Sequence, residues 1–209
     1  MAITASDWNL GQGAWLSLQQ VPRGGWTCGF CGQRVANNRG YKATANSNGT
    51  GSATSVIRIC PSCEGPTVFT AKGEHAPTYP PGNPVPNVPA DLSQLYDEAR
   101  LSAGAGAFTA SVLACRKMLM NIAVTEGAKE GLNFLKYVEY LSDNNFVPPK
   151  GKVWVDYIRT RGNEATHEIA LMGEQDALAL ITFVEMLLRF IYEFPNMVPA
   201  PPTSTSTST

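Results

Sequence analysis

The sequence predicts a mainly α protein, in which a helical bundle is preceded by a small β-rich module. Apolar side chains recur at helical spacing through residues 91–195, whereas residues 1–70 are rich in Gly, Asn, Ser and Thr and contain only short strand-like runs. Residues 71–90 hold six prolines, which exclude a helix or a central strand and predict a stiff, extended linker. Residues 196–209 end in a Ser/Thr repeat and are predicted to be disordered.

Composition and charge limit the function. Apolar residues make up 44% of the 209 positions, enough for a buried core. The net charge of −1 argues against a dedicated nucleic-acid binder, but residues 1–90 carry +3 and the remainder −4, a weak hint of an anionic partner. The N-terminus lacks a basic start followed by an apolar core, and no apolar run is long enough to span a membrane. We therefore expect a cytoplasmic protein with no membrane contact.

The first two predicted helices are separated by glycines. Asp91 or Ser93 can cap the first helix, whose pattern runs to about residue 103. Gly104 and Gly106 then break the pattern, and a second helix follows until the glycine at position 127 ends it.

Three further helices are predicted. The third spans about 130–143, and NNFVPPKG at 144–151 reads as a turn. A fourth carries Trp154 and Tyr157 on one side. The last, about 174–194, has a wide apolar face, which predicts a central position in the bundle or half of a dimer interface.

Four cysteines in the front module have the spacing of a metal site, C-x2-C followed by 28 residues and a second C-x2-C. Cys28, Cys31, Cys60 and Cys63 can supply two thiolates from each of two knuckles and complete one tetrahedral Zn²⁺ site. Two disulfides or a redox pair are the alternatives. Disulfides fit poorly without a secretion signal, and a redox motif needs one pair at a helix start. Because four thiolates leave no open position, we expect a structural metal.

Smaller features accompany the cysteines. Gly32 and Gly65, after the two pairs, are expected to form the tight turns, and TSVIRIC at 54–60 alternates as a strand entering the second knuckle should. The fifth cysteine, Cys115, lies on an apolar helix face and is expected to be buried. His75, in the proline-rich segment, is expected to be solvated.

The stretch RTRGNEATHEIA at 159–170 contains the candidate catalytic residues. A glycine precedes Asn163, a good N-cap, so a helix break there would let Arg161 and His167 converge. A helix N-terminus keeps His167 mostly neutral, as a general base must be, and the fixed cation of Arg161 suits a phosphate. The alternative is structural, with Arg161 paired to a nearby glutamate and His167 packed where two helices meet.

Three motifs resemble a known family. LYDEAR at 95–100, FTASVLACR at 108–116 and RGNEATHE at 161–168 resemble the HEPN superfamily (higher eukaryotes and prokaryotes nucleotide-binding). The resemblance is closest to a HEPN-like branch still named as a domain of unknown function, whose members often carry a cysteine-knuckle zinc ribbon ahead of the helices. It covers about 91–195, and 24–70 more loosely, and implies a HEPN-like helical bundle that forms a homodimer.

The resemblance also implies an activity. In active members, Arg and His of two subunits face each other across a cleft and RNA is cleaved without a metal. Arg161 and His167 match the ends of that motif, with Asn163 as the polar companion. Active members usually place a polar residue directly after the Arg, where this chain has Gly162. Many relatives instead bind RNA, nucleotides or proteins, and the biology that the resemblance implies is phage defence or toxin–antitoxin systems.

Three hypotheses therefore stand. The first is a homodimeric HEPN-like endoribonuclease or RNA-binding effector. The second is a non-catalytic binding module, whose zinc ribbon contacts nucleic acid through Arg34, Arg39, Lys42 and Arg58. The third is an assembly or regulatory subunit that binds another protein, mildly favoured by the acidic helical half.

Overall fold

The computed structural model describes residues 15–44, 53–151, 153–158 and 171–197 of the chain. Two compact units divide it, Met1–Pro80 and Pro81–Thr209. The first unit contains the strands and the second contains the helices. Among the described residues, no helix combines the length and the apolar character needed to cross a membrane.

One antiparallel sheet of five strands forms the described part of the first unit, in the order β1-β2-β3-β4-β5. The strands are β1 (Gln19–Thr27), β2 (Arg34–Thr44), β3 (Ala53–Ile59), β4 (Pro66–Phe69) and β5 (His75–Ala76). Each strand pairs with its neighbours in the chain, so the sheet is a meander. The strand predicted to enter the second knuckle is confirmed as β3.

The predicted mainly α class is wrong. The structure is 47% helical and 19% strand, so the sheet is a substantial part of the fold. The prediction underestimated β1 and β2, which are nine and eleven residues long. Their sequences, QQVPRGGWT and RVANNRGYKAT, are polar or glycine-containing, and most of their side chains are exposed or half-buried. Because only Val21 and Trp26 of β1 are buried apolar residues, and β2 has none, these strands lack the alternation that identifies strands in a sequence.

Five helices form the body of the second unit. They are α1 (Ala90–Gly104), α2 (Phe108–Thr125), α3 (Phe134–Asp143), α4 (helical at 153–158) and α5 (Glu174–Leu188). The break at Gly104–Gly106 is confirmed, and Gly106 has φ +80°. The predicted caps of α1 are wrong, because Pro89 precedes the helix and makes no side-chain cap. The helix α3 begins later than predicted, where the Asn133 side chain accepts a hydrogen bond from the Lys136 N–H.

The helix α5 is central to the second unit. A central position was one of the two predicted alternatives, the other being half of a dimer interface. Ala177, Val184, Leu187 and Leu188 on this helix are completely buried. The chain continues from it as a π-helical turn, Arg189–Glu193, and a short helix α6 (Phe194–Met197). The first two residues of the predicted disordered tail, 196 and 197, belong to α6. Positions 198–209 lie outside the described residues.

Residues 71–90, predicted to be a linker, contribute to both units. The strand β5 comes from this stretch and pairs with β4. In the second unit, Val85 is buried in the helical core, and the Arg100 guanidinium donates hydrogen bonds to the carbonyl oxygens of Pro81 and Gly82, both at 2.9 Å. The proline-rich composition therefore coincides with the boundary between the units, but residues on both sides of that boundary are held by hydrogen bonds.

Candidate metal centre

Two hairpin loops place the four knuckle cysteines together. The first loop joins β1 to β2 and contains Cys28 and Cys31, and the second joins β3 to β4 and contains Cys60 and Cys63. Both loops begin directly after a strand and follow the same hydrogen-bonding pattern: the first cysteine of each pair donates its N–H to the residue five positions later. Because β2 and β3 are antiparallel neighbours, the two loops lie at the same end of the sheet.

Each loop turns through one residue of positive φ. In the first loop this residue is Gly32, with φ +69°, and in the second it is Glu64, with φ +60°. Gly65 closes the second turn, as expected: its carbonyl oxygen accepts from the Cys60 N–H, and its own N–H donates to the Cys63 sulfur. A Cβ atom at Gly65 would lie 2.5 Å from the Phe30 ring. The Ser62 N–H points at the Cys60 sulfur at 3.4 Å, the kind of contact that stabilises a thiolate.

The sulfur positions fit a tetrahedral metal site. All four Sγ atoms lie within 4.8 Å of one another. The Cys28–Cys63 and Cys31–Cys60 sulfur pairs, which each join the two loops, are 3.7 and 3.8 Å apart. A tetrahedron with metal–sulfur bonds of about 2.3 Å has sulfur–sulfur edges of about 3.8 Å. A disulfide needs about 2.05 Å, so all four cysteines are free thiols suited to holding a metal ion.

The thiols compete for negative charge. Burial raises the pKa of Cys28 and, more strongly, that of Cys63. Burial also acts against ionisation of Cys31, but hydrogen bonds from the Gln33 backbone and from the neighbouring thiols outweigh it and lower the pKa of Cys31. Four thiolates this close repel one another, and a divalent cation among them is what offsets that repulsion.

An aromatic cluster supports the loops from the side of the sheet. Trp26 packs against Cys28 and Cys60, and its indole N–H donates to the Thr67 hydroxyl at 3.1 Å. The Arg58 guanidinium lies over the Phe69 and Trp26 rings, 5.3 and 5.9 Å from their centroids. These contacts therefore hold in place the strand ends from which the two cysteine loops begin.

Arg58, one of the four cations predicted to contact nucleic acid, is buried in this aromatic cluster. Arg58 is only 8% exposed, and its Nη1 donates to the Asn37 carbonyl oxygen at 2.8 Å. Arg34, Arg39 and Lys42 are exposed on β2, but Arg39 and Lys42 are three residues apart and leave opposite faces of the strand. The four cations therefore do not form one surface.

The candidate catalytic residues Arg161, Asn163 and His167 lie outside the described residues. The described part of α4 stops at Ile158, and the described chain resumes at Leu171, shortly before α5. Both flanking helices are anchored in the core, because Ile158 and Ala177 are almost completely buried.

Two arginines of the quoted motifs were assigned no role from the sequence. Arg100, in LYDEAR, is 5% exposed and ties the start of the second unit to α1. Arg116, in FTASVLACR, is half-buried against the Phe134 ring. An arginine on the apolar side of a helix is the signal that could have identified both.

The predicted burial of Cys115 is confirmed, and burial raises the pKa of its thiol to about 12. His75, expected to be solvated, is half-buried and stacks on Phe69 at 5.2 Å.

Comparison with known proteins gives one match. A family model described as "Domain of unknown function (DUF4145)" matches residues 97–201, about half of the chain. No curated protein and no solved structure matches.

Proposed function

The chain belongs to this family of domains of unknown function, and we propose that it is a HEPN-like, RNA-directed effector that acts as a homodimer and carries a structural Zn²⁺ site. The observation that carries the zinc part is the set of four sulfurs at the edge lengths of a zinc–thiolate tetrahedron. Support for the RNA part comes from the R-x5-H spacing of Arg161 and His167 in a segment between two core helices.

Zinc content tests the first part. The full-length protein is expected to contain one Zn²⁺ per chain, and Cys28→Ser or Cys63→Ser to contain none and to melt at lower temperature. Cys115→Ser is the matched control, because this buried cysteine belongs to the second unit and is not part of the four-cysteine cluster. Elemental analysis after gel filtration gives the result. Full zinc retention in Cys28→Ser would refute the four-thiolate site.

The proposed reaction is cleavage of RNA without a metal. The 2′-oxygen bonds to the adjacent phosphorus while His167 accepts the 2′-hydroxyl proton. The bond from phosphorus to the 5′-oxygen breaks, the leaving 5′-oxygen takes a proton from water, and His167 returns its proton to solvent. Arg161 holds the phosphate, and Asn163 is the polar companion. The products are a 2′,3′-cyclic phosphate and a 5′-hydroxyl. The four-thiolate metal has no open position and takes no part.

An RNase assay in EDTA tests the reaction. Wild-type protein is expected to leave 2′,3′-cyclic phosphate ends, and His167→Ala and Arg161→Ala to lose at least about 100-fold in rate. The only other histidine supplies the control, His75→Ala, which should cleave normally. Equal cleavage by wild type and His167→Ala would mean that a contaminant, not this site, cuts the RNA.

The homodimer has a candidate surface at the end of α5. Phe190, Phe194 and Met197 are 46%, 43% and 70% exposed, and the two rings pack edge to face at 5.3 Å. Exposed aromatic residues grouped in this way favour an interface. Light scattering is expected to give twice the chain mass for wild type and the single mass for Phe190→Ser/Phe194→Ser.

A non-catalytic role in binding nucleic acid is the second candidate, favoured by the exposed cations of β2. It requires salt-sensitive RNA binding without cleavage. Because the side chains occupy two faces, separate reversals are informative: Arg34→Glu/Lys42→Glu tests one face and Arg39→Glu the other. Weaker binding after one reversal alone would identify the face used. Unchanged binding after both would leave the sheet without a role in RNA binding.

A further inference from the structure

A cavity of about 370 Å³ lies beside the second cysteine loop, in the first unit. Its lining combines an indole ring, two residues of opposite charge and apolar side chains, and includes Trp15, Leu18, Arg39, Ile59 and Glu64. Sites for small molecules have volumes of about 300–1,000 Å³ and join apolar walls to a few polar groups. The cavity is therefore large enough for a flat ring system the size of a nucleobase.

The alternation of side chains along β2 places Arg39 on the face of the sheet that carries the cavity. Arg39 and Tyr41 are two residues apart and leave the same face. The ring of Trp15, which lines the cavity, lies 6.2 Å from the ring of Tyr41. Ile59 lines the cavity from this face too, because it is two residues from Ile57, the cross-strand partner of Tyr41.

Two hydrogen bonds hold the segment of Trp15 against the sheet and the loop. The Trp15 indole N–H donates to the Glu64 carbonyl oxygen at 2.9 Å. The carbonyl oxygen of the next residue, Leu16, accepts from the Tyr41 hydroxyl. A side chain held in this way loses little conformational freedom when a ligand packs against it. The indole therefore suits a flat, aromatic ligand.

Glu64 occupies a backbone position that favours glycine. It has φ +60°, whereas the equivalent residue of the first loop, directly after the second cysteine, is Gly32 with φ +69°. Glycine adopts this conformation freely, but a residue with a side chain is strained there. Strain that a glycine would relieve, at the wall of a cavity, points to a task for the Glu64 carboxylate.

Arg39 and Glu64 do not neutralise each other. Both residues are exposed and line the cavity, yet neither side chain forms a hydrogen bond or an ion pair within the part of the chain that the structure describes. A ligand between them must offer acceptors to the guanidinium and donors to the carboxylate. Guanine does so from neighbouring edges, with O6 and N7 as acceptors and N1–H and N2–H as donors. No other base of RNA offers two adjacent donors to match the two oxygens of a carboxylate.

We propose that this cavity binds a guanine base, with Arg39 donating to O6 and N7, Glu64 accepting from N1–H and N2–H, and the ring packed against Trp15. That the guanine belongs to RNA rests on the proposed function, whereas binding of a free guanine nucleotide does not. The site recognises the ligand and takes no part in the cleavage proposed for Arg161 and His167.

Calorimetric titration of the full-length protein with single nucleotides is the first measurement. GMP is expected to bind at least about tenfold more tightly than AMP, CMP or UMP. Arg39→Met and Glu64→Gly should each weaken GMP binding at least about tenfold. The matched control is Arg34→Met, which removes an exposed cation from the other face of β2 and should stay within about twofold. Equal affinity for the four nucleotides, or no binding of GMP, would overturn the proposal.

Two analogues of GMP separate direct contact from a structural role. IMP lacks the N2 amino group and 7-deaza-GMP lacks the N7 acceptor, so wild type should bind both more weakly than GMP. Glu64→Gly should bind GMP and IMP alike, and Arg39→Met should bind GMP and 7-deaza-GMP alike. Because glycine relieves the strain at position 64, Glu64→Gly should melt no lower than wild type. A lower Tm of Glu64→Gly with unchanged GMP affinity would assign Glu64 a structural role and overturn the site.

Single-stranded RNA identifies the source of the guanine. A 2′-O-methyl oligonucleotide, which cannot be cleaved, should bind at least about tenfold more tightly with a central guanine than with adenine in its place. Binding of GMP without binding of either oligonucleotide would support the guanine site and refute the proposed RNA function. Cleavage that depends on His167, in a protein that does not prefer GMP, would overturn the guanine site and leave the proposed function in place.

Discussion

The carboxylate of Glu185 is expected to be a main determinant of stability in the helical unit. Its Oε1 accepts from the Asn83 side-chain amide at 3.1 Å and from two nitrogens of Arg189 at 3.1 and 2.9 Å. Its Oε2 accepts from the Asn83 backbone N–H at 2.9 Å and from the Tyr96 hydroxyl at 3.4 Å. The side chain is 14% exposed, so solvent screens these contacts little. One acid thus joins α5 to α1 and to the segment that precedes it.

Substitution Glu185→Gln keeps the shape and removes the charge. Wherever the new amide group lies, it meets donors: Arg189 on one side, or Asn83 and Tyr96 on the other. One unmade buried hydrogen bond costs about 1–3 kcal/mol, and a charge-assisted bond contributes about 1.5–3 kcal/mol. We therefore expect a loss of about 3 kcal/mol. With a urea m-value of about 2 kcal/mol/M, the midpoint should fall by about 1.5 M.

Urea unfolding followed at 222 nm measures this loss, because that signal comes from helices and the helices belong to the second unit. The control is Glu98→Gln, which removes an exposed acid that accepts a hydrogen bond from the Gln94 side chain at 3.2 Å. It should change stability by less than about 0.5 kcal/mol. A loss in Glu185→Gln no larger than in the control would refute the reasoning.

The carboxylate of Glu185 also makes the stability of the helical unit depend on pH. Burial acts to raise the pKa of Glu185, but hydrogen bonds from Asn83 and Arg189 outweigh it and lower the pKa below its ordinary value. A lowered folded pKa means that the stabilisation is complete above the unfolded pKa of about 4.3 and is lost as pH falls through the folded pKa. The difference between wild type and Glu185→Gln should therefore be full at neutral pH and shrink at acid pH. A difference that grows on acidification would contradict the assigned sign.

Three other substitutions have definite expectations. Gly65→Ala should lower the free energy of unfolding by about 1–3 kcal/mol, because the new methyl group would lie 2.5 Å from the Phe30 ring. The control Gly25→Ala makes only ordinary contacts and should leave stability unchanged, and the Tm of each variant measures the difference. Arg58→Gln should lower the Tm and leave RNA affinity unchanged, since this arginine is buried; a change in affinity at unchanged Tm would contradict it. Arg100→Gln should lose about 2–3 kcal/mol and expose the start of the second unit to limited proteolysis; resistance equal to wild type would refute its role.

Cysteine spacing, glycines and hydrophobic period predicted the features of the fold that depend on local sequence alone. The cysteine spacing placed Cys28 and Cys60 at equivalent positions of two loops, because hairpin loops between antiparallel strands need no long-range information. The glycines at 104 and 106 marked the end of α1 correctly, since positive φ favours that residue type. The wide apolar face of α5 predicted either a central helix or half of a dimer interface, and its fully buried side chains agree with the first.

Features that depend on distant partners were not predictable in the same way. The basic residue Arg58 reads as a surface charge in the sequence, but Trp26 and Phe69, far from it in the chain, enclose it. The polar strands β1 and β2 gave a weak pattern because pairing, not burial, orders most of their residues. Proline content at 71–90 predicted an extended linker, but it carried no information that β5 forms within this stretch or that Val85 inserts into the helical core.

The four-cysteine cluster and the helical unit differ in what each can do. A metal ion held by four thiolates would have no open position, so this cluster suits a structural role and not substrate binding. The proposed chemistry on RNA would therefore have to come from the second unit, where Arg161 and His167 lie in the sequence between α4 and α5. The two proposals can thus fail separately: Cys28→Ser should lose the metal and lower the Tm, whereas His167→Ala should lose cleavage and keep the metal.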